Sequence, residues 1–205
     1  MNQITDELLR LISANPIDGK SAFNIQCAGR QSTENISIEN KEGAPGIVIR
    51  VKPGTKGETV YIPACVTHAG VDDLVYNDFY IGEDADVTIV AGCGVHNCDC
   101  EDSHHNGIHR FFLAKNSKVL YLEKHIATGN GTGEKRIDPV TDIELAEGAS
   151  LEMDTVQLGG VTSTTRKTRA TLEKSAKLVI RERLLTEGKQ QAHTDFEVTM
   201  NGEGS

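Results

Sequence analysis

The sequence predicts an all-β fold, a parallel β-helix (β-solenoid) preceded by a small N-terminal helical and mixed region. Two observations lead to this prediction. The chain of 205 residues contains 20 glycines and no tryptophan, a composition that favours many short strands joined by turns over a helical bundle. From about residue 79 onwards, a motif of apolar and small residues also repeats along the chain.

The repeat consists of an apolar residue, a small residue four positions later, and a second apolar residue two positions after the small one. Successive units lie about 30 residues apart, within the range typical of solenoids. One unit cannot bury its apolar face alone, whereas stacked units can. We therefore expect each unit to form a strand, a tight corner and a strand, with the first apolar residues aligned as an inward ladder; a stacked-hairpin sandwich is the alternative. The three positions are held by Ile81, Leu113, Leu145 and Leu172, by Ala85, Ser117, Ala149 and Ala176, and by Val87, Val119, Leu151 and Leu178.

The chain is predicted to divide into an N-terminal capping region, residues 1–65, and a β-helix core, residues 66–205. Within the capping region, residues 47–51 and 59–62 have the apolar, β-branched composition of strands. The turn residues Pro53-Gly54 separate them. We expect these two strands to form a hairpin that covers one end of the solenoid.

The first residues of the capping region predict a short helix. Apolar residues recur at helical spacing over positions 8–12. Thr5 is the expected N-cap, and Pro16 is expected to stop the helix. The polar segment 17–45 receives no assignment.

The C-terminal residues begin a fifth unit of the repeat. It starts at Phe196, with Val198, Gly202 and Gly204 in the apolar, small and closing positions. The sequence stops at Ser205, in the middle of this unit, and a bare end coil exposes unpaired strand edges. We expect a truncated piece of a longer protein, with coverage of the end by another chain as the alternative.

The balance of charge argues against a nucleic-acid partner. The formal net charge is −9 at pH 7, and a surface this acidic repels the phosphate backbone. The short basic cluster of Arg166, Lys167 and Arg169 is interpreted as one solvated strand face.

The N-terminal segment has no long apolar run, so it predicts neither a signal peptide nor a membrane span. We expect a cytoplasmic protein whose cysteines are free thiols or metal ligands.

The segment of residues 93–109 concentrates side chains that bind soft metals. Thiolate and imidazole suit zinc, copper and iron, so this segment predicts a site for a zinc or iron ion. Its spacing matches no common zinc module, and a polar loop without metal is the alternative interpretation. In a regular strand His105 and His109 share one face, and His104 lies on the other. The candidate ligands are Cys93, His96, Cys98, Cys100, His104, His105 and His109.

Other side chains of the same types are interpreted as structural. The isolated Cys27 and Cys65 are predicted to pack as small hydrophobic residues. His68 and His193 stand alone in polar stretches and are predicted to be surface residues. Two pairs of polar residues, each two positions apart on one strand, are expected to stack on each other. Such a polar column would supply hydrogen-bond partners for buried polar groups. These pairs are Glu123 with His125, and Glu152 with Asp154.

Several motifs occur in a characteristic order and at characteristic separations. They read VAGCGVHN and SHHNGIHRFFLAKNSKVLYLEKH, then DIELAEGASLEMDTVQLGG, then RERLLTEGKQQAHTDFEVTMNGEGS. Together they resemble the core of the SufB/SufD family of iron–sulfur cluster assembly scaffolds, over about residues 70–205. The overall form is similar to the short, SufB-like type.

The resemblance implies a β-helix that is not itself an enzyme and that carries an iron–sulfur cluster transiently in the full-length complex. It also implies two partners: a SufC-type ABC ATPase, and a second SufB/SufD-like subunit in a homodimer or heterodimer. The chain departs from the family pattern in two ways. The family's cluster-site candidates lie in a region beyond Ser205, and Ala146 stands where long B-type subunits have a sulfur-accepting cysteine. The resemblance therefore assigns no catalytic or cluster-binding residue to this chain.

Two functions of other classes compete with the scaffold hypothesis. A mononuclear metalloenzyme or metal-storage protein would use the Cys/His segment and would hold a stoichiometric metal ion without sulfide. A structural β-solenoid interaction module would use no cysteine at all. Solenoids that bind sugars usually expose aromatic residues, and the aromatic content is only 4%, which disfavours a carbohydrate-binding module.

Overall fold

The structure is a computed structural model that describes residues 3–12, 20–25 and 29–205. Within these residues, no helix is long and apolar enough to cross a membrane. The described elements are α1 (Gln3–Ile12), β1 (Ala22–Ile25), β2 (Gly29–Gln31), β3 (Ile36–Asn40), β4 (Gly46–Val51), β5 (Lys56–Val66), β6 (Val71–Ile81), β7 (Asp86–His96), β8 (Ser103–Leu113), β9 (Lys118–Thr128), β10 (Lys135–Ile137), β11 (Val140–Leu145), β12 (Ser150–Gln157), β13 (Ser163–Leu172), β14 (Lys177–Leu184) and β15 (Gln191–Met200).

The strands form two sheets that face each other across one interior. The first sheet has the order β14-β12-β9-β7-β5-β1-β2, and the second has the order β10-β13-β11-β8-β6-β4-β3, with β15 added beside β13. Every pairing among β4–β15 is parallel, because the chain crosses from one sheet to the other at each corner and advances by one strand per turn. The stacked coils make about five turns. This confirms the predicted parallel β-solenoid and rules out the hairpin sandwich.

The apolar ladder predicted from the repeat lies along the interior. Ile81 is in register with Leu113, Leu113 with Leu145, and Leu145 with Leu172. All four are buried, with at most 4% of their surface exposed. Parallel stacking places identical positions of successive units side by side, so each apolar side chain covers its neighbour. The second apolar residues of the repeat form another ladder, which begins at Val87 and continues through Val119, Leu151 and Leu178.

Each corner depends on a residue with left-handed backbone conformation directly before the small residue of the repeat. Asp84, Asn116 and Ser175 have φ angles of 56°, 56° and 57°, and Gly148 has a φ of 70°. Asn and Asp tolerate this conformation better than most residues, because their short polar side chains bond locally. The small residues that follow are all buried, which explains why no large side chain is found there.

The hairpin predicted around Pro53-Gly54 is wrong. β4 belongs to the second sheet and pairs with β6, whereas β5 belongs to the first sheet and pairs with β7. The turn is a solenoid corner that sends the chain from one sheet to the other. Antiparallel pairs do occur earlier, between β1 and β2 and between β3 and β4; of these, β1, β2 and β3 lie in the segment 17–45 that received no assignment.

The fifth unit of the repeat is displaced by two residues from its predicted position. Met200, rather than Val198, is in register with Leu172. Counting four positions on from Met200 brings Gly204, rather than Gly202, to the small position. The sequence has three apolar residues at alternate positions here, Phe196, Val198 and Met200, so its pattern alone did not fix the register.

The helix α1 packs on the outer face of the first sheet. It begins at Gln3, so Thr5 lies inside the helix and not at its N-cap. Leu8 is buried against Gly94, where an added Cβ would lie only 3.1 Å from a Leu8 methyl carbon. Gly94 therefore provides the flat surface that the helix needs. The predicted helix stop at Pro16 lies outside the described residues.

Candidate functional site

The solenoid interior is apolar near the corners of the repeat and polar farther along the strands. On β8 the inward positions change from the apolar Phe111 to His109 and then His105, and on β9 they change from Tyr121 to Glu123 and then His125. Buried polar groups are costly unless they bond to one another. The polar half of the interior is therefore the part of the core in which function, rather than packing, best explains the choice of residues.

Cys93 on β7 lies at the centre of this polar region. It is 7% exposed and in register with His125 on β9. Burial disfavours the charged thiolate, but the charge and hydrogen bonding of His105, together with a hydrogen bond from His125, outweigh burial and lower the pKa of Cys93 to about 7. Because the thiolate is the nucleophilic form of cysteine, Cys93 is a chemically activated thiol.

His105 connects Cys93 to a carboxylate. Its Nδ1 lies 2.8 Å from Oδ2 of Asp73, its register partner on β6, so Nε2 is the atom that remains for the sulfur. Burial disfavours the imidazolium, but the negative charges of Cys93 and Asp73 raise the pKa of His105 to about 10. At neutral pH the two residues therefore form a thiolate–imidazolium pair, oriented by Asp73.

His125 is the register partner of Cys93 and bonds to an arginine. Arg166 places Nη1 at 3.0 Å from Nδ1 of His125, and an arginine always donates. Burial disfavours the charged imidazolium of His125, but the charge of Glu123 favours it, and the pKa of His125 is raised. Nδ1 must nevertheless keep a lone pair in order to accept the hydrogen bond from Arg166. We therefore assign His125 the neutral tautomer with its proton on Nε2, a buried nitrogen 3.3 Å from Oε1 of Glu123 for which the described residues supply no hydrogen-bond partner of good geometry.

Arg166 on β13 holds together one buried and one partly buried carboxylate. Its Nε donates to Oε1 of Glu182 at 2.9 Å, and its Nη2 lies 3.3 Å from Oε2 of Glu123. Burial raises the pKa of Glu123, but His125 and Arg166 outweigh burial and hold that pKa well below its usual range. Glu182 also accepts from the hydroxyl of Thr194 at 3.0 Å. The polar network thus continues along the solenoid axis from β6 to β15.

His109 and Tyr121 border the site on its apolar side. The Tyr121 hydroxyl donates to Oε1 of Glu123 at 2.8 Å, so it accepts from Nδ1–H of His109 at 3.0 Å. Burial lowers the pKa of His109 to about 4 and keeps it neutral. An added Cβ at Gly107 would lie 2.5 Å from Nε2 of His109 and 3.7 Å from Nε2 of His105. The His109 ring therefore occupies the place that a Cβ at this position would take, and only glycine fits beside it.

The structure divides the seven residues predicted to bind a metal. Cys93, His105 and His109 lie in the interior, as the alternation along β8 requires. His104 faces outward, with Nδ1 at 3.0 Å from Asp72 and Nε2 at 3.1 Å from Asp138.

The remaining three candidate ligands lie where β7 ends. The Nε2 atom of His96 is 3.2 Å from Sγ of Cys98, and both Cys98 and Cys100 are exposed. Across the described part of the chain, no group of three His, Cys, Asp or Glu side chains has an arrangement that would hold a metal ion.

The basic cluster is not a solvated face throughout. Arg166 is buried, and only Lys167 and Arg169 point outward, because side chains alternate along β13. The predicted polar column is also wrong in part. Glu152 and Asp154 lie on the outer face and form ion pairs with Arg181 and Arg183. Thr155 and Gln157 take the inward positions beside Glu123 and His125.

The isolated cysteine and histidines behave as predicted where they are described. Cys65 is half-buried, and burial raises its pKa to about 12, so it is an unreactive thiol. His68 and His193 are exposed. Cys27 lies outside the described residues.

The residues missed from the sequence share one signal. Counting in steps of two from a ladder residue identifies every inward position of a strand. From Leu172 the count reaches Arg166, and from Val119 it reaches Tyr121, Glu123 and His125. Once the repeat is recognised, it therefore shows which residues of these strands point into the interior, where the polar site lies.

Comparison with known proteins gives no family for this chain. No protein-family model matches it, and a search of curated proteins finds no match.

Proposed function

We propose that the protein is a scaffold subunit for iron–sulfur cluster assembly that acts with a SufC-type ABC ATPase and a second SufB/SufD-like subunit. The observation that carries this proposal is the buried Cys93 thiol, whose pKa is lowered by His105 and His125. The ordered motifs over residues 70–205 support it, since they resemble those of a family whose core is a β-helix, and this chain is a β-solenoid.

The chemistry of the interior suits iron and sulfur. Thiolate is the ligand that holds iron–sulfur clusters, and imidazole can replace it on iron. A thiolate that forms near neutral pH also reacts with sulfur compounds. The cluster is cargo in this proposal, built and passed on by the assembly, so a site with one cysteine and no complete ligand set is consistent with a transient role.

The test is anaerobic reconstitution of the whole chain with Fe²⁺ and sulfide, followed by visible absorption and by co-purification with a co-expressed SufC-type ATPase. We expect a cluster chromophore in the wild type and its loss in Cys93→Ser. The matched control is Cys65→Ser, which removes an unreactive thiol from the adjacent strand. Absence of both the chromophore and the ATPase from the wild-type preparation would overturn the proposal.

A mononuclear metal protein is a second candidate, favoured by the contact between His96 and Cys98. Their side chains lie 3.2 Å apart next to the exposed Cys100, and thiolate with imidazole suits zinc or iron. Metal analysis of protein purified without sulfide distinguishes the two functions. Stoichiometric zinc or iron that disappears in the double variant Cys98→Ser/Cys100→Ser would favour the mononuclear protein over the scaffold.

A further inference from the structure

A groove of about 770 Å³ lies on the outer face of the second sheet, where the strands reach the corner of the coils. One wall of this groove is a stack of outward side chains from three neighbouring strands. The guanidinium carbon of Arg50 lies 4.5 Å from the ring centroid of Tyr80, and the rings of Tyr80 and Phe112 are stacked with their centroids 4.8 Å apart. This wall therefore already contains one contact between an arginine and an aromatic ring.

The other wall consists of the residues that directly follow the ladder residues. In each coil the backbone N–H of this residue donates to the preceding coil, so the wall is part of the hydrogen-bonded solenoid. The residue is small in three successive coils, and only the fourth coil has a long side chain there, that of Glu173. A wall of small residues leaves room for a bound segment of backbone. The three small residues are Gly82, Ala114 and Ala146.

Phe112 is the end ring of the stack. The row of outward residues continues in register from Phe112 to Glu144 and then to Thr171, and neither of the last two is aromatic. No ring among the described residues covers the second face of Phe112. All three residues line both this groove and a second one of about 460 Å³ beside it. The Phe112 ring therefore borders open space on the side of Glu144.

Glu144 differs from the neighbouring carboxylates of this face in having no cation. Asp142 forms an ion pair with Arg169 at 2.9 Å, and Asp78 accepts from Arg110 at 2.7 Å. Glu144 is exposed and forms no ion pair with any residue that the structure describes. A carboxylate without a cation thus stands next to a ring with one uncovered face.

We infer that this groove is a docking site for a partner polypeptide, which inserts an arginine side chain between Phe112 and Glu144. The guanidinium extends the stack over the end ring in the way that Arg50 begins it over Tyr80. Its N–H groups bond to the carboxylate of Glu144. The net charge of −9 also attracts a basic partner at long range.

Other classes of ligand fit these residues less well. Sugars bind on the faces of aromatic rings, and both faces of Tyr80 are already covered, by Arg50 and by Phe112. An anionic ligand is repelled by Glu144 and Glu173, which both line the groove. Lysine neutralises a carboxylate, but its compact ammonium does not lie flat on a ring as a guanidinium does. Arginine alone satisfies both the ring and the carboxylate.

The test uses the whole, isotope-labelled chain, and its probe is the peptide acetyl-Leu-Arg-Leu-amide. Nuclear magnetic resonance follows the backbone amide signals during a titration at physiological ionic strength. The matched peptide has citrulline, which has the shape of arginine without its charge. We expect the arginine peptide to shift the signals of residues 112–114 and 144–146, and the citrulline peptide to bind more weakly. Equal affinities of the two peptides, or shifts centred on another face, contradict the inference.

Two variants test the two halves of the site. Phe112→Leu removes the free ring face, and Glu144→Gln removes the carboxylate. Each is expected to weaken binding of the arginine peptide by about two- to fivefold, the effect of one exposed cation–π contact or charge pair. The control is Glu147→Gln, which changes the net charge equally at an exposed corner, where Glu147 pairs with Lys115 at 3.6 Å.

The comparison of the two glutamine variants remains decisive if Phe112→Leu does not fold, because Glu144 and Glu147 are both exposed. We expect Glu147→Gln to bind the arginine peptide as the wild type does. Equal affinities of Glu144→Gln and Glu147→Gln would show only a general attraction of cations to an acidic protein, and would reject the site.

Methylguanidinium distinguishes a polypeptide site from a site for small cations. The apolar flanks of the peptide gain contacts with the wall of small residues, so the peptide should bind about tenfold more tightly than methylguanidinium. Equal affinities would reject a polypeptide partner. These measurements involve neither iron nor sulfide, so their outcome is independent of the reconstitution that tests the scaffold.

Discussion

Arg166 donates a hydrogen bond to Nδ1 of His125 across 3.0 Å in the solenoid interior. The same guanidinium pairs with Glu123 and Glu182, so one cation on β13 joins two strands of the opposite sheet, β9 and β14. It also fixes the tautomer of the imidazole that faces Cys93. The stability of the coil and the chemistry of the thiol therefore depend on one side chain.

Replacing Arg166 with Met is expected to destabilise the protein by about 3–5 kcal/mol, because the buried Glu123 and the partly buried Glu182 lose their cation. The matched control is Arg169→Met on the same strand, whose guanidinium is 61% exposed and pairs with Asp142. A surface pair of this kind contributes at most about 1 kcal/mol. Urea denaturation measures both, and equal losses would show that Arg166 does not hold the network together.

His109 predicts a loss of stability in mild acid. Its pKa is lowered from 6.5 to about 4 in the folded protein, so between these values the unfolded chain binds a proton that the folded chain excludes. The contribution of His109 to the free energy of unfolding is complete above pH 6.5. It is lost as the pH falls, at about 1.4 kcal/mol per pH unit and about 3 kcal/mol in all.

His109→Asn is the variant that tests this explanation. The Asn amide can replace Nδ1–H as a donor to Tyr121 but cannot take up a proton, so its free energy of unfolding should change less between pH 6.5 and 4.5 than that of the wild type. The comparison stops at pH 4.5 because buried carboxylates such as Glu123, whose pKa is lowered, add their own acid sensitivity below that value. Parallel pH profiles for the two proteins would rule out His109 as the source.

The ionisation of Cys93 is expected near neutral pH. The pKa is lowered from 9.0 to about 7 in the folded protein, so the difference in ultraviolet thiolate absorbance between the wild type and Cys93→Ser should have a midpoint near pH 7. In His105→Gln the favourable charge is absent while burial remains, and the midpoint should move upward. A midpoint near 9 in the wild type would contradict the thiolate–imidazolium pair.

The coils were predictable from the sequence because their signal is local and repeated. An apolar residue, a small residue and an apolar residue at fixed spacing specify a corner that only stacking can bury. The register of Ile81 with Leu113 follows directly from the repeat. The register of the fifth unit was harder to predict, because three apolar residues stand two positions apart and each of them could continue the ladder. These residues are Phe196, Val198 and Met200.

The polar site was less predictable because hydrophobicity does not mark its inner face. Between Ser163 and Arg169 both faces of β13 are polar, so the pattern of this segment alone cannot tell Arg166 from Arg169. Only the count back from Leu172 separates them. The pairing of Asp73 with His105 was beyond the sequence, since it depends on which strands become neighbours.

The ladder makes the most direct prediction about the fold. Leu145 is 1% exposed and lies in register between Leu113 and Leu172, so Leu145→Ala opens a cavity between two covered neighbours and is expected to cost about 2–5 kcal/mol. Leu120→Ala is the control, because Leu120 lies on the outer face of β9 and is 36% exposed. A surface change of this kind costs roughly 0.5 kcal/mol. Urea denaturation of both variants distinguishes the positions, and losses of equal size would mean that Leu145 does not lie in the interior ladder.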